Sequence, residues 1–307
     1  MIEKRPGEPT SKAPQRLAKP EWLKIRPPAG ERYTYIKQRA RQLGLVTVCE
    51  QAHCPNLAEC WSHGTATFMA MGEICTRSCR FCNVKSGRPA PLDSAEPTKL
   101  AAIIAELALD YVVLTSVDRD DLPDGGAAHL AATVRCIRER LPAIGIEILI
   151  PDFRGDRSCL AVICASGPKV VAHNIETTEA LTPLVRDARA GYQQSLAVLR
   201  LLKALGAPLT KSSLMLGLGE SAADVMKTLK DLRTVDCDIV TLGQYLQPGP
   251  RHLPVKEFLS PERFANYRSL ALDLGFGQVA AGPLVRSSYR AGELAPALNE
   301  HDHSGSD

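Results

Sequence analysis

The feature that most constrains this chain is the regular alternation of apolar runs with helical patterns from Thr65 onward. Near-continuous apolar runs separated by helices are typical of a parallel sheet covered on both faces. The runs predict strands at Thr65–Met71, Tyr111–Val117, Ile144–Ile150, Lys169–His173, Leu209–Leu216, Ile239–Leu246 and Gln278–Ala281. Helices are predicted at Thr98–Leu109, Ala127–Leu141, Cys159–Ala165, Ser195–Leu205, Ala222–Val235 and Pro261–Leu274.

This alternation predicts an α/β fold, a partial (β/α)6 TIM-type barrel with N-terminal and C-terminal extensions covering the barrel mouth. Six or so strand–helix units suit a barrel better than a dinucleotide-binding sheet, and the sequence lacks the glycine fingerprint of such a sheet. Chemistry in these barrels lies at the carboxyl ends of the strands. The motifs that directly follow strands are therefore the candidate site residues.

Composition excludes several functional classes. The 37 basic and 34 acidic residues leave a net charge of +3, which is too balanced for a dedicated nucleic-acid binder, and aromatic residues make up 5%. No apolar stretch is long enough to span a membrane, because Glu106 and Asp110 interrupt the best candidate. The N-terminus has no apolar signal region, and ten cysteines favour metal or redox chemistry over a disulfide scaffold. We therefore expect a cytoplasmic enzyme.

Six of the ten cysteines form two closely spaced trios. The trios are Cys49, Cys54 and Cys60 in CEQAHCPNLAEC, and Cys75, Cys79 and Cys82 in CTRSCRFC directly after the first strand. Structural zinc sites take four protein ligands, whereas three thiolates on a four-iron cluster leave one iron open for another ligand. The spacing favours an iron–sulfur cluster. The alternative is a zinc site that joins the trios or uses His53 or His63.

CTRSCRFC, with Phe81 before its third cysteine, resembles the cluster motif of radical S-adenosylmethionine enzymes. Together with the upstream trio and RSSY at Arg286–Tyr289, it resembles the lipoyl synthase family in particular. The resemblance runs from about Trp22 to Glu293. Further segments similar to the family are TSVDRDDLPDGGA (115–127), HNIET (173–177), TKSSLMLGLGE (210–220), GQYLQPGPRHLPV (243–255) and GPLVRSS (282–288).

The resemblance implies two 4Fe–4S clusters. Cys75, Cys79 and Cys82 would hold the cluster that binds S-adenosylmethionine and cleaves it to methionine and a 5′-deoxyadenosyl radical. Phe81 would pack near the adenine; the alternative is an aromatic in the core of the loop. Cys49, Cys54 and Cys60 would hold an auxiliary cluster whose fourth ligand is Ser288. A hydroxylate is a harder ligand than thiolate and is less well matched to iron, so it is suited to leave during reaction. A turn or cap hydroxyl is the alternative role of Ser288.

Polar residues at other strand ends are candidate contacts of S-adenosylmethionine. Thr115 and Ser116 end the second strand, where they are placed to bond the methionine amino group, and Asn174 and Glu176 end the fourth, within reach of the ribose. Lys211 and Ser212 in the fifth strand are expected to face the barrel interior, where a buried lysine requires an anion such as a bound carboxylate. Structural hydrogen bonds are the alternative for each of these residues.

The resemblance implies insertion of two sulfur atoms at carbons 6 and 8 of a protein-bound octanoyl chain, with the auxiliary cluster as sulfur donor. The implied partners are octanoylated lipoyl carrier domains, namely the glycine cleavage H protein and the acyltransferase subunits of 2-oxoacid dehydrogenases. Ferredoxin or flavodoxin would supply electrons. Two other classes stay open at this stage: a sulfur-inserting radical enzyme acting on a free small molecule, and a zinc- or cluster-bearing binding module without catalysis.

The predicted organisation has four parts. Residues 1–30, rich in Pro, Lys, Arg and Glu, form a flexible arm, and residues 31–64 carry the auxiliary cluster. Residues 65–285 form the partial barrel, and residues 286–307 carry RSSY and a disordered tail.

Overall fold

A parallel sheet forms the centre of the molecule. The computed structural model describes residues 17–24, 31–42, 46–47, 56 and 65–295. Its strands are β1 (Val46–Thr47), β2 (Thr65–Ala70), β3 (Ile74–Cys75), β4 (Lys85–Ser86), β5 (Tyr111–Ser116), β6 (Gly145–Leu149), β7 (Val170–Ala172), β8 (Leu209–Leu216), β9 (Ile239–Gln244) and β10 (Gln278–Gly282). The main sheet has the order β1-β2-β5-β6-β7-β8-β9-β10, and β3 pairs with β4 in a separate two-stranded sheet.

Seven strands of the main sheet run parallel, and β1 adds an antiparallel edge to β2. In the described residues β10 pairs with β9, and no pairing joins it to β2, so the sheet is open rather than closed into a full barrel. The predicted partial barrel is confirmed. Because all seven strands point the same way, their carboxyl ends share one edge of the sheet.

The described helices precede, connect and follow the strands, and most of those between strands pack on one face of the sheet. They are α1 (Glu31–Gln42), α2 (Glu96–Glu106), α3 (Ala127–Arg140), α4 (Arg157–Ala165), α5 (Thr182–Val185), α6 (Tyr192–Ala204), α7 (Ala222–Arg233), α8 (Pro261–Asp273) and α9 (Ala291–Leu294). Fully buried Ile103 of α2 and Leu130 of α3 belong to one apolar cluster with Val112 of β5 and Ile146 of β6. Within these residues no helix has both the length and the apolar character needed to cross a bilayer.

The glycine pair Gly217 and Gly219 forms a tight turn between β8 and α7. Both have positive φ, 99° and 111°, and a side chain on Gly217 would place its Cβ 2.4 Å from the carbonyl oxygen of Glu257. Ser221 then caps α7, because its hydroxyl accepts from the Asp224 N–H while the Asp224 carboxylate accepts from the Ser221 N–H. The turn and the cap together connect β8 to α7.

The first and last described helices attach to different elements of the fold. Helix α1 is tied to the end of α2, where Tyr35 and Arg39 both donate to Glu106, at 2.9 Å for the Tyr35 hydroxyl. After β10, Ala291 of α9 packs in a second apolar cluster with Tyr111, Val113 and Ile239. The last helix therefore reaches the amino-terminal half of the strands, a position that the sequence did not indicate. Residues 1–16 and 296–307 of the predicted arm and tail lie outside the described residues.

Candidate active site

The CTRSCRFC loop leaves the carboxyl end of β2 through a strained turn. Met71 and Gly72 have φ of 68° and 87°, and a non-glycine residue at positive φ is held there only by its surroundings. Glu96 provides that restraint, because its Oε2 accepts from the Met71 N–H at 2.8 Å and lies 2.7 Å from His129 Nε2. The turn therefore sets the direction in which the cysteine loop leaves the sheet.

Backbone hydrogen bonds fold the cysteine loop onto the sheet edge. The Gly87 N–H donates to the Cys75 carbonyl at 2.9 Å, and the Cys82 N–H donates to the Cys79 carbonyl at 3.1 Å. The Ser78 N–H donates to the Asp187 carboxylate at 2.9 Å, which ties the loop to the segment after α5. All three thiols are free and partly buried. One short loop therefore brings the whole second trio into a single site.

The loop sulfurs receive backbone N–H donors. The N–H groups of Arg77 and Asp118 point at Cys75 Sγ, at 3.4 and 3.3 Å, and the Asp187 N–H points at Cys79 Sγ at 3.3 Å. Burial raises the pKa of the Cys75 thiol to about 11 and that of Cys79 to about 12. Iron binding replaces these protons, and N–H donors to the sulfurs are the surroundings that thiolate-bound clusters use.

No group of three or more His, Cys, Asp or Glu side chains in the described part of the chain has the geometry to hold a single metal ion. In a four-iron cluster each protein thiolate binds a different iron. The donor set on the loop, three thiols with N–H groups aimed at their sulfurs, fits such a cluster.

The end of β5 carries Thr115 and Ser116, as predicted, beside the β2 residues Met69 and Ala70. Thr115 is 8% exposed, and the Ser116 hydroxyl is buried with no hydrogen-bond partner among the described residues. An unsatisfied buried hydroxyl costs about 1–3 kcal/mol. A bound ligand that bonds this hydroxyl removes that cost.

Asn174 and Glu176 lie next to each other after β7. Asn174 Nδ2 donates to Glu176 Oε1 at 3.0 Å, while Asn174 Oδ1 is buried without a partner in the described chain. Glu176 has φ of 66°, and burial raises its pKa. A residue with a strained backbone beside an open amide oxygen is an arrangement found at ligand sites. The structure thus brings together the two residues that the sequence placed at this strand end.

The structure contradicts what the sequence predicts for Lys211 and Ser212. Lys211 Nζ lies 2.8 and 2.9 Å from the two carboxylate oxygens of Glu147, and both residues are almost fully buried. Glu147 supplies the anion, so the expectation of a bound carboxylate at Lys211 is wrong. Successive strand residues point to opposite faces, so Ser212 lies on the other face, where its hydroxyl accepts from the Ile175 N–H at 3.1 Å.

Phe81 is half-buried against an apolar cluster at the sheet edge. The cluster consists of Val185, Leu218, Tyr245 and Leu253. The Tyr245 hydroxyl donates to the Leu253 carbonyl at 2.8 Å, and the Leu253 N–H donates to the Arg80 carbonyl at 3.2 Å. The cluster therefore supports the loop from the side of Phe81.

Arg186 is a site residue that the sequence analysis missed. It is 8% exposed, and its Nη1 donates to Ser195 Oγ at 2.8 Å, while no described carboxylate lies within ion-pair distance. His173 extends this hydrogen-bond network, since its Nε2 accepts from the Ser195 hydroxyl and its Nδ1 donates to the Ile150 carbonyl. Arg186 opposes the rise in the pKa of the buried Glu176 carboxylate, so Glu176 offsets part of its charge. With no carboxylate in direct contact, Arg186 is a candidate to bind an anion. Its hydrogen-bond partner Ser195 is nine residues away, and no motif in the sequence marks Arg186.

The first cysteine trio (Cys49, Cys54 and Cys60) lies outside the described residues, but Asn56 within it is described. Asn56 is 4% exposed, and its Nδ2 donates to the Leu284 carbonyl at 2.6 Å. Arg286 anchors the start of RSSY, since its Nη1 donates to the Gln244 carbonyl at 3.4 Å and the Val285 carbonyl at 2.7 Å. Ser288 is half-buried and follows this anchor. Asn56, which lies between Cys54 and Cys60 in the sequence, is thus hydrogen-bonded to Leu284, two residues before RSSY.

Two family models match the chain. The model described as the radical SAM superfamily matches residues 69–232. The model described as the N-terminal domain of lipoyl synthase matches residues 3–54. The second match covers Cys49 and Cys54 of the upstream trio.

Curated relatives are similar over almost the whole chain. The lipoyl synthase of Anaeromyxobacter dehalogenans is 56% identical over 278 residues, covering 90% of this chain and 94% of its own. The chain belongs to the lipoyl synthase family. The lipoyl synthase of Thermus thermophilus is 54% identical and covers 89% of this chain and 85% of its own. The mitochondrial lipoyl synthase of Aedes aegypti is 56% identical and covers 91% and 73%.

Solved structures with low identity share the fold. Methylornithine synthase matches with a TM-score of 0.55 at 15% identity, covering 80% of this chain and 81% of its own. A maturase of the [FeFe]-hydrogenase matches with a TM-score of 0.55 at 12% identity, covering 88% and 74%. These matches concern the fold alone.

Membership of the lipoyl synthase family makes this chain a radical S-adenosylmethionine enzyme that inserts sulfur to form the lipoyl group. The family uses S-adenosylmethionine and two 4Fe–4S clusters, and its substrates are octanoyl chains on lipoyl carrier proteins. The described site fits this chemistry, because open polar atoms at Ser116 and Asn174 and the buried Arg186 lie at the same edge of the sheet as the loop with the second trio.

Proposed function

We propose that Cys75, Cys79 and Cys82 hold the cluster at which S-adenosylmethionine is cleaved. The observation that carries this assignment is the set of N–H donors to Cys75 and Cys79 on a loop fixed at the carboxyl edge of the sheet. When bound, the cluster supplies the electron for cleavage of the sulfonium. The chain's own contribution is to hold the three thiolates and to orient the ligand.

The residues around the loop are proposed to bind S-adenosylmethionine by its polar groups. Thr115 and the open Ser116 hydroxyl serve the methionine amino group, and Arg186 provides the cation for the methionine carboxylate. Asn174 and Glu176 accept from the ribose hydroxyls, and Phe81 packs near the adenine. The support for Ser116 and Asn174 is that each has a buried polar atom without a partner among the described residues. The support for Arg186 and Glu176 is that both charged residues are placed beside the cysteine loop, since the N–H of the next residue, Asp187, donates to Cys79 Sγ and the Glu176 charge acts on Cys82.

Cys49, Cys54, Cys60 and Ser288 are proposed as the ligands of the auxiliary cluster, which serves as sulfur donor. The supporting observation is the Asn56–Leu284 hydrogen bond, which holds the segment of the upstream trio four residues from Ser288. Arg286 fixes the RSSY backbone against the end of β9 and so limits where Ser288 can lie. The alanine variant of Ser288 is expected to keep S-adenosylmethionine cleavage and to lose sulfur insertion.

The test compares Ser288→Ala with Ser287→Ala, which removes the neighbouring hydroxyl. Each variant receives an octanoylated carrier peptide, S-adenosylmethionine and a one-electron reductant anaerobically, and 5′-deoxyadenosine and thiolated peptide are measured by mass spectrometry. Ser288→Ala should form deoxyadenosine but little thiolated product, while Ser287→Ala should form both. Equal loss of both products in Ser288→Ala contradicts the ligand role. Cys75→Ala should abolish deoxyadenosine formation, and retained cleavage contradicts the assignment of the radical site.

The carriers proposed as substrates are the octanoylated glycine cleavage H protein and the acyltransferase subunits of 2-oxoacid dehydrogenases. The proposed reductant is ferredoxin or flavodoxin, because the reaction needs a one-electron donor. The test supplies free octanoate or octanoylated carrier in parallel. Product with the carrier alone supports the proposal, and product from free octanoate contradicts it.

The proposed compartment is the cytoplasm. The described cysteines are all free, as expected in a reducing compartment. Some similar proteins are mitochondrial lipoyl synthases, so the matrix is the competing compartment. Fractionation of the source cells decides between them.

A further inference from the structure

Arg77, between the first two cysteines of the loop, is enclosed by carboxylates. Its side chain is 4% exposed, and it binds Asp152 through two parallel hydrogen bonds, Nη1–Oδ2 at 2.7 Å and Nη2–Oδ1 at 2.8 Å. Its Nε and Nη2 bind Asp120 at 3.0 and 2.9 Å. Asp118 lies 3.3 Å from Nε. Bidentate pairs of this kind fix a guanidinium in position.

This carboxylate cage, defined here as Arg77 with Asp118, Asp120 and Asp152, touches the sulfur of Cys75. Asp118 Oδ2 lies 3.7 Å from Cys75 Sγ, and the Arg77 N–H points at the same sulfur. Thr76 links the loop to the cage a second time, because its hydroxyl donates to Asp120 at 2.8 Å. The cage therefore connects the loop to the strand ends of β5 and β6 beside one thiol.

The cage carries an excess of negative charge. Three carboxylates face one buried guanidinium. Arg189 lies 3.2 Å from Asp120, but it is about half exposed and is shared with Asp187. Buried charges are screened less than exposed ones, so the cage acts on Cys75 more strongly than solvent-facing groups do.

We infer that the carboxylate cage sets the reduction potential of the cluster held by Cys75, with Arg77 as the opposing charge. The inference rests on the proposed assignment of Cys75 as a cluster ligand. Reduction adds one electron from an external one-electron donor to the cluster, with no bond made or broken. The added negative charge is opposed by the carboxylates and favoured by the guanidinium. The cage residues are positioning residues, since they act through the ligand.

Removing charges of opposite sign should shift the reduction potential of the cluster in opposite directions. A merely structural role of these residues does not produce that pattern. Asp120→Asn and Asp152→Asn each remove a negative charge, so both should move the potential to more positive values. Arg77→Gln removes the positive charge and should move it to more negative values. Arg77→Lys keeps the charge and loses the bidentate geometry, so its potential should lie close to that of the parent.

The measurement is an electrochemical titration of the full chain, followed by electron paramagnetic resonance of the reduced cluster. The parent has Cys49, Cys54 and Cys60 replaced by alanine, so that only the cluster on the Cys75 loop contributes. Asp121→Asn is the control, because Asp121 is on the same charged loop but pairs with Arg119 rather than Arg77. Its shift should be smaller than those of Asp120→Asn and Asp152→Asn.

The inference is overturned if the reduction potential shifts in the same direction in Asp120→Asn and Arg77→Gln. It is also overturned if these shifts are no larger than that of Asp121→Asn. If Arg77→Gln fails to hold a cluster, the reduction potentials of Asp120→Asn and Asp152→Asn, compared with that of Asp121→Asn, still test the inference. A parent that forms no cluster at all contradicts the assignment of Cys75 instead, so the two failures are distinguishable.

Discussion

Lys211 and Glu147 form an ion pair inside the sheet, with side chains 1% and 2% exposed. Removing one member leaves a buried charge without its partner, which costs about 3–5 kcal/mol. We expect Lys211→Met to lower the free energy of unfolding by that amount in urea titrations. Lys211→Met combined with Glu147→Leu should recover most of the loss. An exposed ion pair contributes roughly 1 kcal/mol or less. If the free energy of unfolding of Lys211→Met lies within about 1 kcal/mol of the parent's, the account is contradicted.

His173 links the stability of the protein to pH. It is 3% exposed, and burial lowers its pKa from 6.5 to about 4. Between these values the unfolded chain binds a proton that the folded chain does not. The free energy of unfolding should therefore fall as pH decreases from about 6.5 to about 4, by up to about 1.4 kcal/mol per pH unit.

The measurement is a series of urea titrations across that pH range. His173→Gln is the control, because an amide does not titrate and should lose this part of the slope. An unchanged slope in His173→Gln contradicts the assignment of the pH dependence to His173.

At the scale of elements, α7 offers a direct test of local structure. Its capping box satisfies the Asp224 and Ser221 N–H groups through side chains. Ser221→Ala should cost about 1 kcal/mol of stability, measured by thermal or urea unfolding, because it leaves a helix donor unpaired. Ser221→Asn keeps an acceptor and should cost much less. Equal losses in the two variants contradict the capping role.

The long strands and most helices could be predicted because burial makes their apolar pattern continuous. Strand β8 was predicted with the observed ends, Leu209–Leu216, and α3 begins at Ala127 as expected. The two-residue strands β3 and β4 form because the cysteine loop folds back on itself, and no periodic pattern accompanies them. Helix α1 is polar along its length, so its sequence carries little apolar signal.

The sequence identified the cysteine loop and the strand-end residues, because motifs after parallel strands share one edge. It could not identify the partners that the fold supplies from a distance. Glu147 is 64 residues from Lys211, and Asp152 is 75 residues from Arg77. Whether a buried charge needs a ligand depends on such partners, which only the three-dimensional arrangement shows.

At the scale of the whole molecule, the N-terminal and C-terminal segments meet through Asn56 and Leu284, 228 residues apart. Asn56→Leu removes this hydrogen bond and should loosen the auxiliary site while the Cys75 loop keeps its cluster. Iron per chain should then fall from about eight toward about four. Asn266→Leu, at an exposed position of α8 away from both cysteine trios, tests whether any asparagine loss has the same effect. Full iron in Asn56→Leu contradicts the link between the segments.

The central claim is that each cysteine trio holds its own four-iron cluster. The most direct measurement is iron, sulfide and zinc per chain after anaerobic reconstitution of the parent and of two triple alanine variants. The parent should hold about eight irons with matching sulfide and no zinc. Replacing Cys49, Cys54 and Cys60, or Cys75, Cys79 and Cys82, should each leave about four. Zinc in place of iron, or loss of all iron from either triple variant, would contradict the account.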